Sequence, residues 1–531
     1  MSTELTLFYL VGILIIFSSS LTVFFGVSRL KWLVPLWVSP FLVILFAYIP
    51  VLQILKLYSM HMYVDFGHWE EILWNIIQSG LPLSQSSEFI YEGTENYFST
   101  HFVPLVYLLA VPFKIWPYGE TLIVMNFIII ASSIIPLWKL SRRLGFDKNM
   151  SLIWLAIFLW NVTVQYITIY EFEMLRFSIP ILLWILYFLE ERRWREFYVL
   201  LIIAILIRED VSLTILMFGL YVCFFLKDFR HGLPVVTVSA VYFILVTQFV
   251  MPSLNEGGVV PHLNFLSYFF ANLNNPDEFF INLFDPIKLA NIFMIFLPLL
   301  FFPLFGWRIL TCCFAVLGVG MLSKSYTHLA YMLYYVSASL PFLYYALLKS
   351  WPQLLTFLKR FPGVPYDNIL LGKALQSMLF TSTIVTCIIF GPSPISLQFW
   401  LEDVRPYPFR TQRHHYSAFE VNDHHRIVAD LVNLIPDNAI VSTEQFFAPV
   451  VFKKKAMMVF PQLINQDRSI EADYVLIDKS NPLKTGSSNV PGSWNGLREY
   501  PQKYYNIVEN NPNKWELLKT DDGIYLFKRK Y

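Results

Sequence analysis

The run FYVLLIIAILIREDVSLTILMFGLYVCFFL, residues 197–226, decides the fold class. It is apolar along its length except at the centre, where Arg208, Glu209 and Asp210 stand together. Its length of about 30 residues exceeds the roughly 20 that one helix needs to cross a bilayer. Because charged groups are costly at membrane depth, we expect them at a tight turn between two short helices. The run therefore predicts two membrane segments whose outer turn carries a charge cluster.

The composition of the whole chain also indicates a membrane protein. Of its 531 residues, 56% are hydrophobic and only 15% are charged, which lies outside the range of soluble globular domains. The net charge is +1, so the balance of charges gives no signal for nucleic-acid binding. We interpret the cysteines as small core residues because all of them fall in apolar runs without metal-ligand spacing: Cys223, Cys312, Cys313 and Cys387.

Apolar runs that can cross a bilayer, or form shortened helices within one, number about twelve. They lie near residues 5–27, 33–57, 119–140, 150–168, 175–190, 197–209, 211–226, 233–251, 287–305, 308–322, 329–348 and 368–390. The first lacks a basic leader and is too long for a cleaved signal peptide, so we expect it to be retained. The shorter, proline-containing run from His101 to Trp116 predicts a helix lying at the membrane interface.

Basic residues set the orientation. They concentrate in alternate loops, which the positive-inside rule makes cytoplasmic: Arg29 and Lys31; Lys139, Arg142, Arg143 and Lys148; Arg192, Arg193 and Arg195; Lys227 and Arg230; Arg308; and Lys349, Lys359 and Arg360. The N-terminus and the loop over residues 58–118 then face outside. With twelve spans, everything after about Gly391 faces outside as well.

The chain after about Pro392 differs in kind, being polar and lacking any run of membrane length. Glu420 to Leu434 predicts an amphipathic helix, and four short runs predict strands: 439–442, 457–460, 474–477 and 523–527. The sequence thus predicts a polytopic α-helical membrane domain over residues 1–390 and a small extracytoplasmic α/β domain over residues 391–531.

Three polar clusters meet on the outer face of this topology. The first is the stretch Asp65-Phe66-Gly67-His68-Trp69 with the acidic residues and histidine that follow it; the second is Tyr170-Glu171-Phe172-Glu173 with Arg176; the third is the Arg208 cluster. From position alone the first two are equally consistent with solvated turns, and the third with a self-satisfied ion cluster that caps two helices.

Other polar residues favour ordinary roles. Tyr326, His328, Tyr334 and Tyr335 stand where an interfacial belt of aromatic side chains is typical. The pairs His414-His415 and His424-His425 lack a third ligand at metal-binding spacing, which favours solvated or packing roles.

The order of the motifs resembles a membrane-protein family known as domain of unknown function 2079 (DUF2079). The matching segments are Asp65-Phe66-Gly67, Phe98 to Pro104, Tyr170 to Glu173, Arg208-Glu209-Asp210 and Tyr335 to Pro341. The similarity covers roughly residues 60–350 and extends in style to the α/β tail. The chain departs from the family pattern at several positions: Thr100, Glu171, Glu173, Met174, Leu175 and Arg208.

That family is similar to a branch of the GT-C class of membrane glycosyltransferases. The resemblance implies a sugar donor carried on polyprenyl phosphate, an acidic residue in the first outer loop and interfacial helices in the same loop. It also implies a glycan, lipid or protein acceptor, contact with membrane lipids and no nucleic acid.

The resemblance carries over directly onto Asp65, His101, Glu209 and Asp210. Together with the positions of the three clusters, it leads us to predict catalytic roles for Asp65, Glu171, Glu209 and Asp210 and substrate contacts from His68, His101, Glu173, Arg176, Arg208 and Tyr335. In this hypothesis Asp65 is the general base for the acceptor hydroxyl. Either Arg208 or a divalent cation such as Mg²⁺ or Mn²⁺ meets the charge of the leaving phosphate. Two alternatives stay open at this point. One is a polytopic transporter, although no repeated halves are visible; the other is a non-catalytic protein that binds lipid or glycan on the same scaffold.

Overall fold

The computed structural model describes residues 3–30, 43–62, 64–86, 95–255, 276–323, 325–401, 414–465, 468–479 and 502–530. Of the predicted features, Lys31 and the acidic residues Glu88 and Glu92 lie outside these ranges. We call the described residues up to 401 the helical region and those from 414 onward the C-terminal region. The first contains helices, and the second contains a five-stranded sheet.

Helices of eight or more residues in the helical region are numbered in chain order. They are α1 (Thr3–Leu30), α2 (Tyr48–Tyr58), α3 (Val64–Ser79), α4 (Val106–Ile115), α5 (Gly119–Ser132), α6 (Ile134–Arg143), α7 (Lys148–Leu159), α8 (Val162–Ile169), α9 (Ser178–Glu191), α10 (Trp194–Ile205), α11 (Val211–Phe224), α12 (Phe229–Leu245), α13 (Pro276–Leu283), α14 (Pro286–Phe296), α15 (Leu340–Lys349), α16 (Trp351–Leu358) and α17 (Asn368–Phe390).

Six helical stretches among the described residues are long and apolar enough to cross a membrane: Phe8–Ser28, Gly119–Arg143, Phe229–Ser253, Asp277–Leu299, Phe302–Leu322 and Asn368–Phe390. The pair α7 and α8, bent by 55°, makes a seventh if it counts as one broken span. The chain is therefore a helical membrane protein. Several other predicted spans are shorter; α11, with 14 residues, covers about 21 Å of a hydrocarbon core roughly 30 Å thick. The total of twelve stays a prediction.

The bend between α7 and α8 has a local cause. Asn161 interrupts the apolar run, and its side-chain oxygen accepts a hydrogen bond from the backbone N–H of Thr163 at 2.9 Å. An asparagine in this role caps the start of a new helix, because it satisfies a backbone donor that has no partner in the preceding turn. The predicted span over residues 150–168 is thus two helices meeting at an angle.

The break between two predicted spans lies elsewhere than the sequence indicates. Placing it between residues 305 and 308 is wrong: the chain reverses at Leu300 and Phe301, whose φ angles of 49° and 61° are left-handed. Gly306 allows close packing between two segments of the chain. A Cβ at Gly306 would lie 2.6 Å from the backbone oxygen of Ala346 on α15, so only glycine lets the two segments touch.

The described part of the helical region contains one large apolar core and a second, smaller apolar cluster around α3 and α4. All four cysteines are buried as free thiols, and Cys312, Cys313 and Cys387 belong to the large core. This confirms their interpretation as core residues. The interrupted run of residues 197–226 also folds as expected. It forms α10 and α11, and residues 206–210 make the tight turn between them. We call residues 206–210 the Arg208 turn.

The C-terminal region is a small α/β unit. Its strands are β1 (Ile440–Thr443), β2 (Ala456–Val459), β3 (Tyr474–Asp478), β4 (Trp515–Asp521) and β5 (Ile524–Arg529), with α18 (Asp423–Asn433) and α19 (Gln502–Glu509). The strand order is β2-β1-β3-β5-β4; β1 is parallel to β2 and β3, and β5 is antiparallel to β3 and β4.

Most elements of this unit are confirmed as predicted. The amphipathic helix is α18, which begins with a capping box between Asn422 and His425, and the four predicted strands correspond to β1, β2, β3 and β5. The sequence did not reveal β4 or α19. Six of the seven residues of β4 are exposed, so this edge strand lacks the alternation of apolar and polar residues that identifies a half-buried strand.

Candidate active site

The Arg208 turn buries a cation that one neighbour holds in a fixed orientation. Arg208 is 2% exposed. Its Nε donates a hydrogen bond to Asp210 Oδ1 at 2.9 Å, and its Nη2 donates to Asp210 Oδ2 at 2.5 Å. This two-bonded arrangement fixes the plane of the guanidinium as well as its position. Asp210 therefore fixes the orientation of the Arg208 guanidinium.

The remaining nitrogen of Arg208 is the chemically distinctive atom. Nη1 lies 3.6 Å from Glu173 Oε1, too far for a hydrogen bond. Among the residues that the structure describes, it has no hydrogen-bond partner. A buried donor without an acceptor costs about 1–3 kcal/mol, and more when it is charged. An anionic oxygen placed at Nη1 would remove that cost, so this atom is suited to receive a ligand.

Glu209, the neighbour of Arg208, holds a different segment. Its Oε1 lies 2.7 Å from His101 Nδ1, and its Oε2 accepts a hydrogen bond from the backbone N–H of Phe102 at 2.9 Å. Both carboxylate oxygens are thus engaged with the segment that begins at His101, which lies just before α4. We interpret Glu209 as a positioning group that fixes the imidazole beside Arg208.

The electrostatics of this pair keep the imidazole neutral. Burial, followed by the charge of Arg208, lowers the pKa of His101 to about 3. Burial and the nearby Asp210 carboxylate raise the pKa of Glu209 to about 7. When Glu209 is ionised, His101 carries its proton on Nδ1 and presents Nε2 as an acceptor. When Glu209 is protonated, these roles reverse.

The cluster of Tyr170–Glu173 and Arg176 lies against the Arg208 turn. Glu173 is 6% exposed, and its side chain caps the short helix Met174–Phe177. Burial raises the pKa of Glu173, while Arg208 and then Arg176 oppose the shift. Arg176 is fully buried and donates to Asn126 Oδ1 at 2.6 Å and to the backbone oxygen of Glu171. Arg176 thus holds the Tyr170–Glu173 segment in place.

Glu171, like Glu70 on α3, is a fully buried carboxylate whose two oxygens have no hydrogen-bond partner among the described residues. Buried polar groups are normally paired, and those without a partner in the protein are candidates for contact with a ligand or an ion. The prediction that Glu171 belongs to the site is compatible with this position.

Asp65 lies in the first turn of α3 and is half-buried. The hydroxyl of Tyr170 donates to Asp65 Oδ2 at 3.3 Å. From there a row of rings leads to the Arg208 turn: Tyr170 and Tyr334 are 5.6 Å apart, and Tyr334 and Tyr335 are 4.3 Å apart. The guanidinium carbon of Arg208 lies 5.9 Å from the Tyr335 ring. These rings form a continuous row of contacts from the Asp65 carboxylate to the Arg208 guanidinium.

Tyr97 lies among charged groups that come from different parts of the chain. Burial raises its pKa well above the usual range, and the charges of Glu173, Arg208, Glu209 and Asp65 all act on its hydroxyl. One side chain therefore lies within electrostatic reach of all three sequence clusters. No sequence pattern singles out Tyr97 as a site residue. Its place just before the motif Phe98 to Pro104 is the signal that could have done so.

His68 and its neighbour Glu71 form a separate network. His68 Nδ1 lies 2.9 Å from Ser84 Oγ and 3.0 Å from Ser86 Oγ. Both serine hydroxyls donate to Glu71 Oε2, at 2.5 and 2.8 Å. This network pins the loop around residues 84–86 onto α3. His68 is 1% exposed and holds this loop, and its contact with a substrate stays a prediction.

The histidine pairs of the C-terminal region make packing and polar contacts, and the His414 ring lies 5.4 Å from that of Tyr166 on α8. His424 bonds to Asp522 and Asp478 at 2.8 and 3.2 Å. Within the described ranges, no three or more His, Cys, Asp or Glu side chains are arranged to hold a metal ion. In the site itself, Glu209 and Asp210 are engaged with His101 and Arg208, so their oxygens do not form a ready set of metal ligands.

Comparison with protein families identifies the chain. It belongs to the family described as predicted membrane protein (DUF2079), whose model matches residues 56–526. That range includes α3, the Arg208 turn and the sheet of the C-terminal region. No curated protein matches the chain.

Solved structures with a similar arrangement include ArnT from Cupriavidus metallidurans, bound to undecaprenyl phosphate. It is 11% identical over 91% of this chain and 97% of that chain, with a TM-score of 0.46. The oligosaccharyltransferase from Archaeoglobus fulgidus, in its apo form, is 13% identical over 83% of this chain and 69% of that chain, with a TM-score of 0.40. Similarity at this level carries no conclusion about activity.

Proposed function

We propose that the protein is a membrane glycosyltransferase that moves a sugar from a polyprenyl-phosphate carrier to an acceptor at the extracytoplasmic face. The observation that carries this proposal is the buried guanidinium of Arg208. Asp210 fixes two of its nitrogens, while Nη1 has no hydrogen-bond partner in the described chain. A pre-oriented donor of this kind suits a phosphate oxygen, and the candidate base Asp65 faces the same space.

Binding of the carrier follows from the position of Nη1. The phosphate of a polyprenyl-phospho-sugar places an anionic oxygen on this nitrogen, and the apolar tail extends along the surrounding helices. As the sugar leaves, charge builds on that oxygen. Because Asp210 already holds the guanidinium, little reorganisation accompanies the change, which is how a fixed donor stabilises a transition state.

Transfer of the sugar is a substitution at its anomeric carbon. Asp65 accepts the proton of the acceptor hydroxyl while the acceptor oxygen forms a bond to that carbon. The bond from the anomeric carbon to the phosphate oxygen breaks, and its electron pair remains on the phosphate beside Arg208. The products are the glycosylated acceptor and polyprenyl phosphate. Tyr170 keeps Asp65 oriented through its 3.3 Å hydrogen bond.

The remaining site residues bind or orient the reactants. We assign His101 to a sugar or acceptor hydroxyl through Nε2, since Glu209 orients its ring. Glu171 accepts hydrogen bonds from substrate hydroxyls on its two unpartnered oxygens. Tyr335 belongs to the row of rings that runs from Asp65 to Arg208. Arg176 acts indirectly by holding the backbone of Glu171.

A divalent cation remains part of the prediction from the resemblance, but no step here depends on one. The described carboxylates and histidines do not form a three-ligand set, and Glu209 and Asp210 are already occupied. The charge of the leaving phosphate is therefore assigned to Arg208.

The proposal places the site at the extracytoplasmic face of the membrane. It includes twelve spans and an extracytoplasmic location for residues 391–531. Asp430 and Arg195 are both exposed and fall on opposite sides in this topology. A membrane-impermeant maleimide applied to intact cells should label an Asp430→Cys variant but not an Arg195→Cys variant. The opposite pattern would invert the topology and remove the site from the outer face.

The direct test uses the purified full chain in lipid nanodiscs with a panel of polyprenyl-phospho-sugars. We expect the wild type to release sugar or transfer it to an added acceptor. Asp65→Asn should reduce turnover by about 10²-fold or more, within the range for loss of a general base. Asp430→Asn removes an exposed carboxylate of the C-terminal region and should change nothing.

The alternatives predict other outcomes of the same assay. A transporter would move solute across the bilayer of proteoliposomes and give no covalent product. A non-catalytic member of the scaffold would bind the carrier lipid without cleaving it. Full activity of a folded Asp65→Asn variant would refute the assignment of the base.

A further inference from the structure

Helix α3, which carries Asp65, belongs to two apolar cores. Phe66 and Trp69 pack into a cluster formed with helices of the helical region. Val64 and the preceding Met60 instead belong to a cluster whose other members come from the C-terminal region. The residue directly before the candidate base is therefore part of the interior of the C-terminal α/β unit.

Gly67 marks the closest approach between the two regions. A Cβ at this position would lie 2.6 Å from the Cβ of Ala448, 2.7 Å from its carbonyl carbon and 3.0 Å from the nitrogen of Pro449. We call Ala448–Val451, the short helix that follows β1, the docking turn. Since Val64 and Gly67 are three residues apart on α3, they share the face that meets it. No larger residue fits at Gly67 without separating the two.

A second contact fixes the far end of α3. Phe452, directly after the docking turn, belongs to the same apolar cluster as Phe66 and Trp69. Its ring lies 6.4 Å from that of Trp74 on α3 and 6.1 Å from that of Phe113 on α4. Each region thus inserts residues into the core of the other. Two contacts separated along one helix restrict both its rotation and its translation.

We propose that the C-terminal region positions Asp65, with the contact between Gly67 and Ala448 setting the orientation of the first turn of α3. The catalytic consequence rests on the function proposed above, whereas the contact and its effect on Asp65 do not. Gly67 and Ala448 are positioning residues. They act through the backbone of α3, which places the carboxylate relative to Tyr170 and the Arg208 turn.

The expected effect on catalysis is large because geometry near the reacting atoms is exacting. A displacement of about 1 Å can cost roughly 10²-fold in rate. Gly67→Ala forces α3 and the docking turn apart. It should lower kcat by about tenfold or more and change KM by less than about threefold, since the carrier is held mainly at the Arg208 turn.

Paired variants separate this effect from general damage. Ala448→Gly removes the nearest atom of the clash and should restore part of the kcat when combined with Gly67→Ala. Gly372→Ala is the matched control: a Cβ there meets nothing closer than 3.7 Å, and Gly372 lies outside the candidate site. It should behave as the wild type does.

A second readout is independent of sugar transfer. All four native cysteines are buried, so a cysteine introduced by Asp65→Cys is the main target for a small water-soluble maleimide. In this background, Gly67→Ala should change the labelling rate by about threefold or more, as expected when the local environment of a site shifts. Adding Ala448→Gly should move the rate back, and Gly372→Ala should leave it unchanged.

The outcomes are distinguishable. If the wild type transfers no sugar but the labelling rates respond as expected, the proposed function fails and the positioning role stands. If Gly67→Ala does not fold, Ala448→Gly alone loosens the same contact and should shift labelling. Labelling rates that are the same in all folded variants would overturn the inference, as would an equal loss of kcat in Gly67→Ala and Gly372→Ala.

Discussion

The His68–Glu71 network and the His101–Glu209 network use the same two residue types for different purposes. In the first, Glu71 accepts bonds from two serine hydroxyls that also contact the imidazole. In the second, Glu209 holds His101 beside Arg208, whose Nη1 is without a hydrogen-bond partner in the described chain. One network fixes a loop, and the other leaves capacity for a ligand.

The difference shows that burial alone does not identify a catalytic carboxylate. Glu71 and Glu209 are both buried, and burial raises the pKa of each. What separates them is the group that lies beside each network. A network that ends on neutral hydroxyls is satisfied, whereas one that adjoins an unpartnered guanidinium nitrogen can receive an anion.

The strongest way to break this comparison is to remove the unpartnered nitrogen while keeping the charge. Arg208→Lys retains a cation but loses the planar donors that Asp210 orients. We expect turnover of a polyprenyl-phospho-sugar to fall by about 10²-fold or more, as is usual when a fixed donor to a developing anion is lost. The control is Arg230→Lys, at an exposed position. Equal turnover in both variants would contradict a role for Arg208.

The pH dependence gives a smaller effect. Glu209, with a pKa of about 7, is protonated below that pH and ionised above it, and only the ionised form makes His101 Nε2 an acceptor. The rate should therefore rise by about tenfold from roughly pH 6 to pH 8. In Glu209→Gln this limb should disappear, because an amide does not titrate. A rate profile of Glu209→Gln with the wild-type limb would assign the ionisation to another group.

The smallest effect on turnover is expected for a substitution in the His68–Glu71 network. Glu71→Gln weakens the bonds to Ser84 and Ser86 and should destabilise the fold by about 1–3 kcal/mol, the cost of leaving buried polar groups poorly paired. Thermal unfolding in detergent should show a lower Tm, and kcat of the folded protein should stay within about twofold of the wild type. Glu278→Gln is an exposed control. A selective loss of kcat without a lower Tm would place Glu71 in the active site.

Much of the architecture follows from local sequence pattern. The interruption of residues 197–226 by three charged residues predicts the α10–α11 turn because an apolar run of that length cannot remain one straight span. The short apolar runs of β1 and β3 and the amphipathic face of α18 are also local properties. The edge strand β4 and the reversal at Leu300 are not, since exposed strands and left-handed residues carry weak sequence signals.

The pairings within the site were beyond local pattern. The sequence groups Arg208, Glu209 and Asp210 because they are adjacent. It does not show that Glu209 binds His101, which is 108 positions away. Likewise, Gly67 reads as part of a short motif, whereas its close approach to Ala448 depends on the docking of a region 381 positions later. Such contacts arise from tertiary packing, which no local periodicity encodes.

The measurement that tests the central claim most directly is the affinity of the purified protein for polyprenyl phosphate, determined by native mass spectrometry in nanodiscs. The lipid alone is the probe, so the result does not depend on the identity of the sugar or acceptor. We expect Arg208→Ala to bind about tenfold or more weakly than the wild type, as when a charged hydrogen bond to phosphate is lost. Equal affinity of the wild type and a folded Arg208→Ala variant would contradict the account.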